Sequence, residues 1–142
     1  MQRQTTTPAD PSPSRCATIV VAVQAPARAV YDFASDPRNL PVWAPNFARL
    51  VSLGEGGWVV ETDGGPVGIA FAPRNDLGVL DHWVRLPDGS ALFNPMRVVP
   101  DGDASLVSFT LFRQDGWDDE RLASDAALVR SDLERLKAQV SA

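Results

Sequence analysis

Apolar and polar positions alternate along this chain with a period that changes from one segment to the next, and the changes mark the elements. CATIVVAVQ, residues 16–24, is rich in β-branched residues and predicts a strand. Pro26 then opens ARAVYDFAS, where Val30, Phe33 and Ala34, with Ala29 beside them, have helical spacing. Asp36 and Pro37 predict a second helix start, since Asp caps and Pro suits the first helical position. Pro41 and Pro45 keep that helix short. From Arg49 come six apolar runs punctuated by Gly, Pro, Asp and Asn: ARLVSL, GWVVET, PVGIAFA, GVLDHWVRL, SALFNPMRVV and SLVSFTLFR. Loops of hairpin length predict an antiparallel meander. After Asp118 the period lengthens: Leu122, Ala126, Val129, Leu133, Leu136 and Val140 form one stripe on a helix. Asp118 can cap it, and Asp119 and Glu120 suit its positive end.

The order is strand, two short helices, six strands, long helix. This is an α+β arrangement of about seven antiparallel strands. The sheet must cover one apolar face, and the long helix offers a single stripe to cover it. The expected solution is a curved sheet gripping the helix. Residues 1–14 contain no large aliphatic or aromatic side chain after Met1, so a disordered tail is expected there. Residues 15–142 form the single domain expected of this length.

The turn LPDGS fixes a register. Pro87, Asp88 and Gly89 suit a type I turn closed by a left-handed glycine. Leu86 then faces Ser90, Val84 faces Leu92, His82 faces Asn94 and Leu80 faces Met96. These residues share one face of the sheet and carry no charge. The opposite face holds Asp81, Trp83, Arg85, Phe93 and Arg97, so the uncharged face is expected to be concave. By the same parity Trp58, Ile69, Phe71, Phe109 and Leu111 point inward. The expected cavity wall is apolar, with His82, Asn94 and Thr62 as polar points. That is the usual form of a small-molecule site.

PARAVYDFASDPRNLPVW, GVLDHWVRLPDG, NPMRVVPDGD and FTLFR followed by DDE resemble segments of the START and polyketide-cyclase superfamily, also called SRPBCC. The resemblance covers about residues 16–140. It implies the helix-grip fold and a hydrophobic ligand, lipid- or polyketide-like. Members bind lipids, sterols, polyketides or hormones, some are cyclases or dehydratases, and others are protein partners. No catalytic signature is carried over.

Charge and composition narrow the partners. With 13 Lys and Arg against 18 Asp and Glu, the net charge of -5 argues against nucleic acid and anionic membranes. No run approaches a membrane span, and the first residues lack a secretory signal, so a cytoplasmic protein is expected. One cysteine, Cys16, and one histidine, His82, cannot build the usual zinc clusters, and no cofactor is expected.

His82 is the sharpest chemical candidate. It could orient a ligand or move a proton, or it could be a neutral buried histidine paired with Asn94 that serves only the sheet. Asn94 carries the same alternatives. Met96, Leu80, Val84 and Leu92 complete the candidate binding face. Tyr31 and Trp43 are expected to pack, and Asp125 and Asp132 to lie on solvated flanks of the long helix. Three functions stay open: a binder of a hydrophobic or aromatic small molecule, a cyclase- or dehydratase-like enzyme using His82, and an interaction module whose Trp83 and Phe93 face would suit a homodimer.

Overall fold

The structure is a computed structural model and describes residues 15–141. The tail expected over residues 1–14 lies outside the described residues. Strand β1 (Cys16–Val23) leads to helix α1 (Ala27–Ala34), a turn of 3-10 helix (Pro37–Asn39) and helix α2 (Leu40–Trp43). Seven strands follow: β2 (Leu50–Gly54), β3 (Gly57–Thr62), β4 (Gly65–Phe71), β5 (His82–Arg85), β6 (Ala91–Asn94), β7 (Met96–Asp101) and β8 (Ala104–Phe112). Helix α3 (Asp119–Val140) closes the chain. It has 22 residues, so it runs for roughly 33 Å.

Both expected helix starts are built as the residues dictate. The Asp36 carboxylate accepts from the Arg38 N–H with Pro37 at the first position, and the Asp118 carboxylate accepts from the Arg121 N–H at 2.8 Å. Each satisfies a donor that the helix itself cannot.

All strand pairs are antiparallel. Five strands run in the order β2-β3-β4-β5-β6 and three in the order β1-β8-β7. The run SALFNPMRVV, expected as one strand, is two: Pro95 lacks the N–H a ladder needs, and the chain changes partners there. β6 pairs with β5, whereas β7 pairs with β8. The two sheets remain stitched at this corner. Leu80 N–H donates to the Met96 carbonyl at 2.8 Å, Val98 N–H to Gly78 at 2.8 Å, and Thr110 N–H to Pro95 at 2.9 Å. The result is one strongly bent surface with α3 across its concave side.

Gly78 makes the corner possible. Its φ is +72°, and a Cβ there would lie 2.1 Å from the Val98 carbonyl oxygen. Only glycine permits both the conformation and the approach. The loop before it is organised by Asn75. The Asn75 side chain accepts from the N–H groups of Leu77 and Val79 and donates to the carbonyls of Pro73 and Val79. Its own N–H donates to the Tyr31 hydroxyl at 3.0 Å, which ties the loop to α1.

The core lies between the bent sheet and the helices. Val23, Val30, Val60, Met96, Val107, Leu133 and Leu136 are fully buried. Among the described residues no helix is long and apolar enough to cross a membrane.

Candidate functional site

The LPDGS hairpin has the expected register. His82 pairs with Asn94, Trp83 with Phe93 and Val84 with Leu92, and Leu86 N–H donates to the Ser90 carbonyl. Leu80, His82, Val84 and Met96 are buried, while Trp83 and Arg85 are exposed. Trp83 and Phe93 stack on the outer face with ring centroids 4.7 Å apart. Asp81 departs from the solvated position expected for it and is buried at the corner of the sheets. Its carboxylate accepts from the Met96 N–H at 2.9 Å and from the Arg97 guanidinium at 2.9 and 2.8 Å. The Arg97 guanidinium holds the Asp81 carboxyl below the usual range.

Between sheet and α3 lies a cavity of about 410 Å³. His82, Val84, Leu92 and Asn94 line it from the hairpin, Val67 and Ile69 from β4, and Phe109 and Leu111 from β8. Four residues expected in the wall are elsewhere. Leu80 and Met96 are sealed in the core beneath it, and Trp58 packs at the core's edge. Phe71 packs against the core behind the wall, with its ring centroid 5.1 Å from that of His82. Residue parity gives the face of a strand but not how far along the strand the cavity extends.

His82 does not pair with the Asn94 side chain. Its Nδ1 lies 2.9 Å from the carbonyl oxygen of Leu80, two residues before it in the chain. The ring sits between Phe71 and Phe109, the second at 5.6 Å. Burial pushes the His82 pKa down, against the opposing pull of the Leu80 carbonyl and Asp81. The imidazole is therefore neutral at physiological pH. Thr62, the third expected polar point, lines the cavity but donates to the Gly65 carbonyl within its own turn.

Asp132 was expected on a solvated flank and is not there. It is buried and lines the cavity from α3. Asp125, Val129, Asp132 and Leu136 follow one another at steps of four, three and four, so the signal was present in the spacing. Asn46, in the loop after α2, donates to Asp132 Oδ1 from its side chain at 2.9 Å and from its backbone at 3.4 Å. Arg135 Nη1 lies 3.4 Å away. Burial outweighs these partners and pushes the Asp132 carboxyl up to about 6. Trp43, Gln114, Trp117, Arg121 and Asp125 complete the helical side. Arg121 is engaged by Asp125 at 3.1 Å and lies over the Trp117 ring at 4.6 Å.

No model of a known protein family matches the chain, and no curated protein matches it. Solved structures do. The protein XoxI from Bacillus cereus superposes with a TM-score of 0.69 at 16% identity, over 89% of this chain and 96% of that one. A START superfamily protein from Mycobacterium smegmatis gives 0.67 at 14% identity, over 89% of this chain and 97% of that one. The fold is START-like. The di-domain ARO/CYC protein BexL from the BE-7585A biosynthetic pathway shares it, at a TM-score of 0.65 and 23% identity. There the match spans 89% of this chain and 46% of BexL. At these identities the START-like likeness concerns the fold, and the chemistry must be read from the residues above.

Proposed function

We propose that this START-like protein holds a hydrophobic or aromatic small molecule, lipid- or polyketide-like, between its sheet and α3. One observation carries the reading. The cavity of about 410 Å³ has a mainly apolar wall that also carries polar groups, His82, Asn94 and Asp132 among them. Its size lies within the roughly 300–1,000 Å³ of small-molecule sites. Val67, Ile69, Val84, Leu92 and Phe109 would supply burial, and the polar groups would set orientation. Native mass spectrometry of the freshly purified protein tests this. The expected result is an added mass that disappears on denaturation. A protein that arrives empty and takes up no apolar probe refutes it.

Asp132 favours a second reading, a cyclase- or dehydratase-like enzyme. A base and an acid in one apolar cavity suit dehydration of a hydroxyketone: His82 Nε2 takes the proton next to the carbonyl, and protonated Asp132 gives its proton to the departing hydroxyl, releasing water. That BexL, described as ARO/CYC, shares the fold supports weighing it. Activity that does not change when His82 or Asp132 is replaced would remove this reading.

A further inference from the structure

The state of the His82 ring says what kind of molecule the cavity accepts. A carbonyl oxygen has no hydrogen to give, so in the Nδ1···Leu80 contact of 2.9 Å the neutral ring is the donor. The hydrogen is therefore on Nδ1, and Nε2 carries a bare lone pair. Nε2 has no protein partner among the described residues, on a ring that lines the cavity. Phe71 and Phe109 flank the imidazole, so reorienting it means displacing aromatic neighbours as well as breaking the Leu80 bond.

The charged groups of the lining have the same bias. Asp63, Asp125 and Asp132 present carboxyl groups, and among the described residues Arg121 is the only Arg or Lys in the wall. Arg121 is already spent on Asp125 and the Trp117 ring. An anionic headgroup would meet a lone pair at depth and carboxylates nearer α3, and the described lining offers it the Asn94 amide but no free cation to offset its lost hydration.

We propose that the cavity selects an uncharged molecule bearing a hydroxyl or N–H group, which donates to His82 Nε2, and that it rejects free carboxylic acids. This rests on the ligand-binding reading and adds the ligand's polarity to it. The methyl ether of a good ligand is nearly the same shape but cannot donate. It should bind about tenfold more weakly, as expected for one buried hydrogen bond lost with its acceptor left bare.

The experiment uses the untagged full chain, whose single histidine makes the imidazole signals unambiguous. Hydroxynaphthalene, methoxynaphthalene and naphthoate are titrated in turn, with the neutral dye Nile red as a probe of the cavity. Binding is followed by dye displacement and by proton–nitrogen correlation spectra of the ring. The expected result is a bare Nε2 in the free protein and an Nε2 resonance moved by the hydroxyl compound alone. Affinity should fall about tenfold for the ether and further for naphthoate. His82→Phe should bring hydroxyl compound and ether to equal affinity; should that variant not fold, the wild-type series decides. Ether or naphthoate binding as tightly as the hydroxyl compound overturns the proposal, as does a ring with its hydrogen on Nε2. If Nile red and all three compounds fail to bind, the ligand-binding reading itself fails.

Discussion

Asn46 and Asp132 are 86 residues apart in the chain and joined at the cavity wall, with the Asn46 amide 2.9 Å from the carboxylate. The same amide lies 3.4 Å from the Leu128 carbonyl, so one side chain docks the loop after α2 onto α3. The protein retains a carboxyl there although burial disfavours its charged form.

Asp132→Asn should therefore stabilise the fold at neutral pH. The folded pKa, about 6, is raised above the ordinary value of 3.8, so between these limits the folded chain holds a proton the unfolded chain lacks. Its contribution is present below the lower limit and lost as pH rises through the upper one. Replacing the acid by an amide should recover about 1–2 kcal/mol near neutrality, allowing for water reaching an open cavity. The gain should vanish in acid. Denaturant unfolding of both proteins across pH checks this, and a variant less stable at neutral pH would contradict it.

His82 acts in the opposite sense. Its folded pKa is depressed, so its contribution is present above the unfolded value of about 6.5 and is lost as pH falls through the folded value. Nuclear magnetic resonance titration of the ring should show it neutral below that unfolded value. A ring titrating at or above it would mean that water reaches the imidazole freely.

Asp81→Ala should cost about 2–3 kcal/mol, because it removes an ion pair and strands the buried Met96 N–H. Arg97 is half exposed, and Arg97→Ala should cost less because Asp81 keeps the Met96 bond. Equal losses in chemical denaturation would show that the guanidinium, and not the backbone bond, is what matters.

Gly78→Ala should be among the most damaging single changes in the loop. Its new Cβ would meet the Val98 carbonyl in a conformation L residues avoid, at a cost of at least about 2 kcal/mol. Gly89→Ala also has positive φ but open space around it, so it should lose less. Thermal unfolding of the pair separates crowding from backbone conformation.

Most of the fold was legible because strand and helix periods are local. The Pro37 and Asp118 helix starts and the register about Pro87–Gly89 follow from residues near one another in the chain. The break at Pro95 is legible only as a missing donor inside an otherwise continuous apolar run, and the change of partner there depends on β8. What the sequence could not show was set by approach between distant segments. The His82 ring chose the carbonyl of Leu80 over the amide of Asn94. Helical spacing places Asp132 beside the apolar stripe, but its bond to Asn46 joins two distant segments, and nothing in either alone announces that meeting. Parity also could not tell Leu80 and Met96, beneath the cavity, from Val84 and Leu92, which line it.

The four tryptophans divide between two environments. Trp43 and Trp117 belong to the cavity wall, whereas Trp58 and Trp83 do not. The chain thus carries its own optical gauge. An aromatic occupant would quench the first pair by contact and leave the second without such contact as an internal standard, so filling of the cavity can be followed by intrinsic emission without any dye. Trp43→Phe and Trp117→Phe would each remove part of that response, and Trp83→Phe would remove only background.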